Sequence, residues 1–397
     1  MTYLTLSGIV VTMSAALGWG ITWRSRRETA RDHWLAVLLA GILLVVLTAI
    51  FDSLMIASDL FYYAENLITG VYLGLAPIED FAYPVAGVLV LPAMWWFLTS
   101  PAHSARVCSI RRGLSVFFAA SRPVSWINTA FPFAAAQILI TREFTWVTVV
   151  GTLYFLIPYN VALYGINDVF DYASDRLNPR KGSVEGALVP PNLHRPLLLT
   201  AALTNAPFLL VLAVFGGVSG GLALAISVFA LLAYSIPKLR FKERPVLDSI
   251  TSAAHFVSPA VVGVAMTDER FSPALIITLA AFFLWSMAAH AFGAVQDVLP
   301  DRAAGLSSIA TVFGARNTVR ISLLLWTGAG VLMLFTPWPG PLAAVIVVPY
   351  LANCGPWWRV SDEKSHRTNT AWKRFIWLNY VCGFFVTMLL IAVWHTH

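Results

Sequence analysis

Long apolar segments recur along the chain, and they constrain its fold more than any other feature. A transmembrane helix needs about 20 predominantly apolar residues, because the hydrocarbon core of a bilayer is about 30 Å thick. The sequence is 58% hydrophobic and only 12% charged, whereas soluble domains carry about 25% charged residues. It therefore predicts an all-α polytopic membrane protein with about twelve transmembrane helices. The predicted spans are 2–22, 34–57, 81–99, 124–141, 145–166, 196–216, 219–235, 247–266, 273–294, 318–336, 340–356 and 374–394.

The basic residues are distributed as a membrane topology requires. All but Arg142 and Arg270 of the 26 Lys and Arg residues lie in alternate loops between the predicted helices. The positive-inside rule places such loops in the cytoplasm, so both termini are predicted to face outward. The net charge of +6 then reflects topology in the lipid bilayer, and it gives no reason to expect nucleic-acid binding.

A first acidic cluster lies at the cytoplasmic end of a predicted helix. Asn167, Asp171 and Asp175 are spaced i, i+4, i+8, which keeps them near one helix face, and Asp168 lies beside them. Carboxylates are costly near hydrocarbon, so a group of them there usually marks a functional site. Taken alone, this cluster is also compatible with the ion pathway of a transporter.

A second acidic cluster, further along the chain, repeats this spacing with Asp297 and Asp301. Two facing sets of carboxylates would repel each other unless cations lay between them. Oxygen ligands that leave room for water and phosphate are what Mg²⁺ prefers. Together the two clusters predict a Mg²⁺-diphosphate site inside a membrane protein.

Cationic and hydroxyl side chains on the same side of the membrane are suited to hold a diphosphate. Tyr234 and Lys238 stand four residues apart at another cytoplasmic helix end, where both can reach one anion. Arg180 and Lys181 follow the first acidic cluster, and Arg122 precedes the fourth predicted helix. Such groups stabilise the charge of a departing diphosphate. The competing explanation for the Arg and Lys residues is that they only set the topology.

With these motifs in this order, residues from about 110 to 397 resemble a UbiA-type intramembrane prenyltransferase. The likeness rests on N-x-x-x-D-x-x-x-D from Asn167, Y-x-x-x-K from Tyr234 and D-x-x-x-D from Asp297. The resemblance implies nine helices and two Mg²⁺ ions that bind a prenyl diphosphate, whose ionisation gives an allylic carbocation. It assigns the metal to Asn167, Asp168, Asp171, Asp175, Asp297 and Asp301. It assigns the diphosphate to Asn167, Tyr234, Lys238, Arg180, Lys181 and Arg122.

Within that family, the segment 289–297 is most similar to lycopene elongases. This likeness implies dimethylallyl diphosphate as the donor and lycopene as the acceptor, in a bacterial plasma membrane with the diphosphate site on the cytoplasmic side. Gln296 departs from the pattern, because Asn would parallel the first motif. The alternatives are another acceptor, such as a quinone or chlorophyll precursor, and a non-catalytic membrane transporter.

The N-terminal block resembles one subunit of the small, three-helix lycopene cyclases that work as pairs of related polypeptides. Pro77, Glu79 and Asp80 form the P-x-E-[E/D] element that carries the likeness. A carboxyl held neutral in an apolar site can donate the proton that starts cyclisation, and an ionised neighbour can accept the last proton. Glu79 and Asp80 are the catalytic candidates, with Asp52 as a buried alternative. The competing role for Glu79 and Asp80 is helix capping.

These observations predict a fusion enzyme of fifty-carbon carotenoid biosynthesis. The expected domains are a three-helix cyclase-like domain at 1–100, a basic cytoplasmic linker at 101–122 and a UbiA-type prenyltransferase domain at 123–397. Because the resemblance covers one cyclase unit where the family uses two, a second cyclase subunit is expected as a partner.

Overall fold

The computed structural model describes residues 3–25, 31–64, 66–99, 116–176, 188–267 and 269–396. The described chain is almost entirely helical and forms two compact units, Met1–Ser115 and Val116–His397. Most of the predicted linker, 101–122, lies outside the described residues.

The first unit contains three long helices: α1 (Tyr3–Ser25), α2 (Arg31–Ala57) and α3 (Ala82–Thr99). A short antiparallel hairpin of β1 (Tyr72–Leu73) and β2 (Ala76–Pro77) and a 3₁₀ turn (Ile78–Phe81) lead into α3. Helix α1 packs along α3, and at Gly18 an added Cβ would lie 2.5 Å from the carbonyl oxygen of Leu89. Small residues of this kind let membrane helices approach closely.

The described part of the second unit is a bundle of helices around two large apolar cores and a smaller one. The first core includes the buried residues Tyr154, Phe155, Tyr159 and Leu197, and the second is built on Phe292, Trp326, Tyr350 and Phe375. Its helices are α4 (Trp126–Thr141), α5 (Trp146–Leu156), α6 (Pro158–Phe170), α7 (Tyr172–Asp175), α8 (His194–Phe215), α9 (Gly217–Ser235), α10 (Leu247–Ala265), α11 (Pro273–Val295), α12 (Val298–Ala303), α13 (Ile309–Met333), α14 (Ala343–Ile346), α15 (Val348–Cys354) and α16 (Asn369–Thr396).

The predicted all-α polytopic fold is confirmed. Among the described residues, nine helices are long and apolar enough to cross a membrane. Each of the twelve predicted spans coincides with a helical segment. The three spans that are not among these nine helices correspond to α10, to α13 and to the α14–α15 pair. Helices α10 and α13 carry more polar residues, and α14 and α15 are each short. These segments therefore do not meet the apolarity or the length expected of a single membrane-spanning helix.

A break between α5 and α6 positions the helix that carries the first acidic motif. Pro158 has no N–H, so the ladder of helical hydrogen bonds is interrupted there. The carbonyl of Phe155 accepts hydrogen bonds from Thr129 Oγ1 at 2.7 Å and Asn160 Nδ2 at 2.8 Å. On the other side of the break, Asn205 Nδ2 donates to the carbonyl of Pro158 at 2.7 Å. Buried side-chain donors thus satisfy the backbone and fix the direction of α6.

Candidate active site

The first acidic motif follows one continuous helical path. Asn167 lies in the last turn of α6, Asp171 caps that helix, and Asp175 ends α7. The N–H of Asp171 donates to the carbonyl of Asn167 at 2.9 Å, and the N–H of Asp175 donates to that of Asp171 at 2.8 Å. The i, i+4, i+8 spacing is therefore kept across the α6–α7 junction. Asn167 and Asp171 are half-buried, whereas Asp175 is buried.

Lys242 and Arg240 bring positive charge to this motif from the loop after α9. The Lys242 ammonium donates to Asn167 Oδ1 at 3.1 Å and to Asp171 Oδ1. Arg240 Nη2 lies 3.6 Å from the same Asp171 oxygen, and the guanidinium also pairs with Glu243. Burial lowers the pKa of Lys242, and the Asp171 carboxylate opposes that shift. The hydrogen bond to Glu243 raises the pKa of Arg240.

Asp168, which is buried in the last turn of α6, forms an ion pair with Arg122. Arg122 Nη2 donates to Asp168 Oδ1 at 3.0 Å, and the guanidinium lies 4.4 Å from the centroid of the Tyr164 ring. The Asp168 side chain is fully buried, and that of Arg122 is 20% exposed. Arg122 itself adopts a left-handed backbone conformation (φ 48°) before Pro123. The two predicted site residues are thus brought together, each as a partner of the other.

The C-terminal end of α9 connects the two acidic motifs through consecutive residues. Ser235 Oγ donates to Asn167 Oδ1 at 3.0 Å, beside the first motif. The Tyr234 hydroxyl lies 3.2 Å from His290 Nε2, and Ser249 Oγ lies 3.1 Å from the other ring nitrogen of that histidine. His290 belongs to α11, two helical turns before Asp297, a rise of about 10 Å along the helix. The end of α9 therefore contacts the first motif directly, and through His290 it contacts the helix that leads to the second motif.

The second acidic motif lies where α11 gives way to α12. Asp297 occupies the N-cap position of α12 and Asp301 lies within it; both are half-buried, and the Asp301 N–H donates to the Asp297 carbonyl at 2.9 Å. The neighbouring Arg302 binds Asp362 at 2.6 Å, which anchors α12 to the segment before α16. Gln296 Oε1 accepts a hydrogen bond from Asn369 at 2.6 Å. Its amide oxygen is therefore engaged within the bundle.

The loop between α9 and α10 has an unusual backbone. Lys238, Arg240 and Val246 all have positive φ, at 79°, 37° and 72°. Such angles are rare for residues other than glycine, and a β-branched residue is a clear outlier there. Backbone strain of this kind concentrates at functional sites. Lys238 is exposed, and its ammonium makes no ion pair with any part of the chain that the structure describes.

The oxygen donors of this region suit Mg²⁺ in their chemistry. Within the described ranges, no group of three or more His, Cys, Asp or Glu side chains is arranged to hold a metal ion. Mg²⁺ is usually bound by one or two carboxylates together with water and substrate phosphates, not by a closed protein cage. A cation, the Lys242 ammonium, already lies against Asn167 and Asp171. The residues therefore fit a metal whose coordination the substrate completes.

Sequence reasoning missed Lys242, which of the described cations lies closest to the first motif. Lys242 is in the same basic loop as Lys238, and its spacing of eight residues from Tyr234 has no helical meaning because the helix ends at Ser235. Two other predicted cations, Arg180 and Lys181, lie outside the described residues.

A second group of titratable residues lies in the first unit. The Tyr63 hydroxyl donates to Asp80 Oδ2 at 2.5 Å, and the buried Asp52 interacts with the same carboxyl group. Burial and the hydrogen bond to Asp80 raise the pKa of Tyr63. The Thr69 N–H donates to Glu79 Oε1 at 2.7 Å. The 3₁₀ turn that contains both acids has no side-chain hydrogen bond at its N-cap, so these contacts differ from the helix capping considered from the sequence.

Comparisons with known proteins identify a family match within the second unit. The UbiA prenyltransferase family matches residues 129–379. The chain is 44% identical, over 99% of both sequences, to the C(50) beta-cyclic carotenoids biosynthesis protein LbtBC of Dietzia sp. (strain CQ4). It is 50% identical to a lycopene elongase/hydratase of Corynebacterium glutamicum, over 69% of this chain and 95% of that protein.

Two solved structures share the fold. A UbiA homolog from Archaeoglobus fulgidus bound to DMAPP and Mg²⁺ aligns with a TM-score of 0.50 and 20% identity, over 67% of this chain and 98% of its own. A digeranylgeranylglyceryl phosphate synthase aligns with a TM-score of 0.52 and 14% identity, over 72% of this chain and 99% of its own. At these identities the likeness concerns the fold alone.

Proposed function

Because the chain belongs to the UbiA prenyltransferase family, we propose that its second unit transfers dimethylallyl groups from dimethylallyl diphosphate to the ends of lycopene. The product would be a fifty-carbon carotenoid. Similarity to the LbtBC protein over 99% of the chain and to the lycopene elongase/hydratase over 69% of it supports this substrate pair. The alternating basic loops support a cytoplasmic diphosphate site in a bacterial plasma membrane.

The observation that carries the proposal is the meeting of carboxylates and cations at the end of α6. Asn167 and Asp171 lie against Lys242, and Arg240 stands close behind. Carboxylates alone would suit a bare cation, whereas carboxylates with adjacent cations suit a metal-bound polyanion. A prenyl diphosphate is such a polyanion.

In this proposal the two acidic motifs hold Mg²⁺, which neutralises the diphosphate when it is bound. The residues concerned are Asn167, Asp168, Asp171, Asp175, Asp297 and Asp301. The chain would contribute the remaining charge stabilisation through cations and a hydroxyl. These are Arg122, Arg180, Lys181, Tyr234, Lys238 and, from the geometry, Arg240 and Lys242. The surrounding apolar helices limit access of water to the carbocation.

The test is expression in a bacterium that accumulates lycopene, with mass analysis of the extracted pigments. The wild-type chain should raise the mass of lycopene by one or two five-carbon units. Asp171→Asn keeps the side-chain shape but removes the charge, and it should lower product formation by roughly 100-fold or more. Glu269→Gln, which changes an exposed carboxylate in another loop, is the matched control and should leave it unchanged.

The outcomes separate the alternatives. Normal product from Asp171→Asn, at equal amounts of protein in the membrane, would contradict the assignment of the site. Diphosphate release that depends on Asp171 but gives no elongated lycopene would indicate another acceptor, such as a quinone or chlorophyll precursor. Absence of any diphosphate release by the wild-type protein would favour a transporter.

For the first unit we propose half of a carotenoid end-group cyclase that acts with a second cyclase subunit. The contact between Tyr63 and Asp80 beside the buried Asp52 supports a carboxyl group that retains a proton in an apolar setting. Glu79 is the second catalytic candidate, and its Oε1 already accepts the Thr69 N–H.

Cyclisation rearranges bonds without changing mass, so it is detected by chromatographic retention and by the shortened conjugation seen in the absorption spectrum. With a candidate partner subunit coexpressed, Asp80→Asn should stop ring formation and leave elongation intact. Glu79→Gln, made in parallel, measures the contribution of the other acid. Unchanged ring formation by both variants would contradict the placement of the proton donor.

A further inference from the structure

The Lys242 ammonium lies against the first acidic motif, where the proposed function would place a metal ion. Its ammonium contacts one oxygen of Asn167 and one of Asp171, and the Lys242 side chain is only 11% exposed. These two oxygens come from residues that the proposed function assigns to Mg²⁺. A metal ion at the same Asp171 oxygen would compete with the ammonium, because two positive charges at contact distance repel each other.

We propose that Lys242 is an exchangeable counter-cation. It neutralises the first motif while the site holds no metal, leaves Asp171 when the metal-diphosphate enters, and then pairs with the diphosphate. This inference rests on the proposed function, because it supposes that Asp171 is a metal ligand. Lys242 thus has two successive anionic partners, first the Asp171 carboxylate and then the diphosphate.

The loop that carries Lys242 is built for such a movement. Lys242 lies in a 3₁₀ turn between Arg240 and Val246, two residues with left-handed backbone conformations. Neither residue favours that region, so the loop carries backbone strain in the conformation that places the ammonium against Asp171. Arg240 is held by Glu243 and stays near Asp171, which keeps one positive charge at the site during the exchange.

The exchange predicts opposite effects on two ligands when the ammonium is removed. Lys242→Met should bind a free divalent ion more tightly, because the competing cation is gone. The same variant should bind the metal-diphosphate more weakly, because one of its cationic partners is gone. A side chain with only a structural role would not strengthen metal binding.

The experiment uses the full chain purified in detergent, with Mn²⁺ as the probe and free Mn²⁺ measured by electron paramagnetic resonance. A neighbouring positive charge lowers the pKa of a carboxyl group by about 1–3, and we expect it to oppose metal binding at the same oxygen to a similar extent. Lys242→Met should therefore bind Mn²⁺ roughly tenfold or more tightly than the wild type. Lys242→Arg retains the charge and should resemble the wild type. Lys364→Met, at an exposed position, is the control.

The second ligand is an unreactive thio analogue of dimethylallyl diphosphate, added with Mn²⁺. Binding of this complex should weaken roughly tenfold or more in Lys242→Met, by the same electrostatic argument. If Mn²⁺ affinity is unchanged in Lys242→Met but falls in Asp171→Asn, the exchange is wrong and the metal site stands. If Asp171→Asn binds both ligands as the wild type does, the metal site itself is wrong.

Labelling of the wild-type protein provides a measurement that needs no substitution. The reactivity of Lys242 toward an amine-specific reagent, followed by peptide mass spectrometry, should be low in the protein alone. It should rise when Mn²⁺ is added and fall again when the diphosphate analogue follows. Reactivity that does not respond to Mn²⁺ at saturating concentration would overturn the proposal.

Discussion

The Arg122–Asp168 ion pair gives a prediction whose size follows from burial. Asp168 is fully buried, whereas a fifth of the Arg122 side chain reaches solvent and its guanidinium also lies over the Tyr164 ring. Removal of either charge breaks the same 3.0 Å contact. The two substitutions are not equivalent, because they leave different groups behind.

Arg122→Met leaves a buried carboxylate without its Arg partner, a change that costs about 3–5 kcal/mol in other proteins. Since the pair is partly open to solvent on the Arg122 side, we expect the lower end, about 3 kcal/mol. Asp168→Asn leaves a guanidinium that still contacts solvent and the Tyr164 ring. This variant should lower the unfolding free energy by about 1–2 kcal/mol. The double variant should lose less unfolding free energy than the two single variants lose together, by about 1–3 kcal/mol.

The measurement is the free energy of unfolding in mixed detergent micelles, from SDS titration followed by circular dichroism, without metal or diphosphate. Arg122→Lys is a useful companion, because it retains the charge but loses the planar fork of donors. Equal losses from Arg122→Met and Asp168→Asn, or losses that simply add in the double variant, would show that the pair is not coupled as its burial requires.

Packing and backbone contacts in the same bundle support two further predictions. At Gly151 an added Cβ would lie 2.1 Å from the buried Phe133 ring, so Gly151→Ala should lower the unfolding free energy by about 1–3 kcal/mol. The control is Gly383→Ala, where no atom lies within 4 Å of an added Cβ, and it should be neutral or stabilising. Asn160→Leu removes a donor to the Phe155 carbonyl at the α5–α6 break, and the unfolding free energy should fall by about 1–2 kcal/mol; an unchanged value would mean that other donors suffice.

The helices and the course of the first motif could be predicted because their signals are local. The length of an apolar run depends only on neighbouring residues, so each predicted span coincides with a helical segment of the structure. The spacing of Asn167, Asp171 and Asp175 likewise survived the α6–α7 junction, since i, i+4 hydrogen bonds continue across it. Residue types and their chemistry were also sufficient to identify the family.

The partners of the charged groups could not be predicted in the same way. Tyr234 and Lys238 were paired by their spacing, yet the structure places the Tyr234 hydroxyl against His290 and leaves the Lys238 side chain exposed. Similarly, Arg122 and Asp168 were predicted for different ligands, and the fold pairs them with each other. Such contacts join residues far apart in sequence, where no periodicity operates.

The sequence by itself determined that this chain is a helical membrane protein and which carboxylates form its motifs. Both follow from hydrophobicity and from helical spacing, which act over a few turns. The tertiary structure alone decided that Lys242 faces Asn167 and Asp171, because a loop with left-handed residues carries it back across the bundle end. The direction of such a loop depends on packing and backbone strain, and neither is visible in the order of the residues.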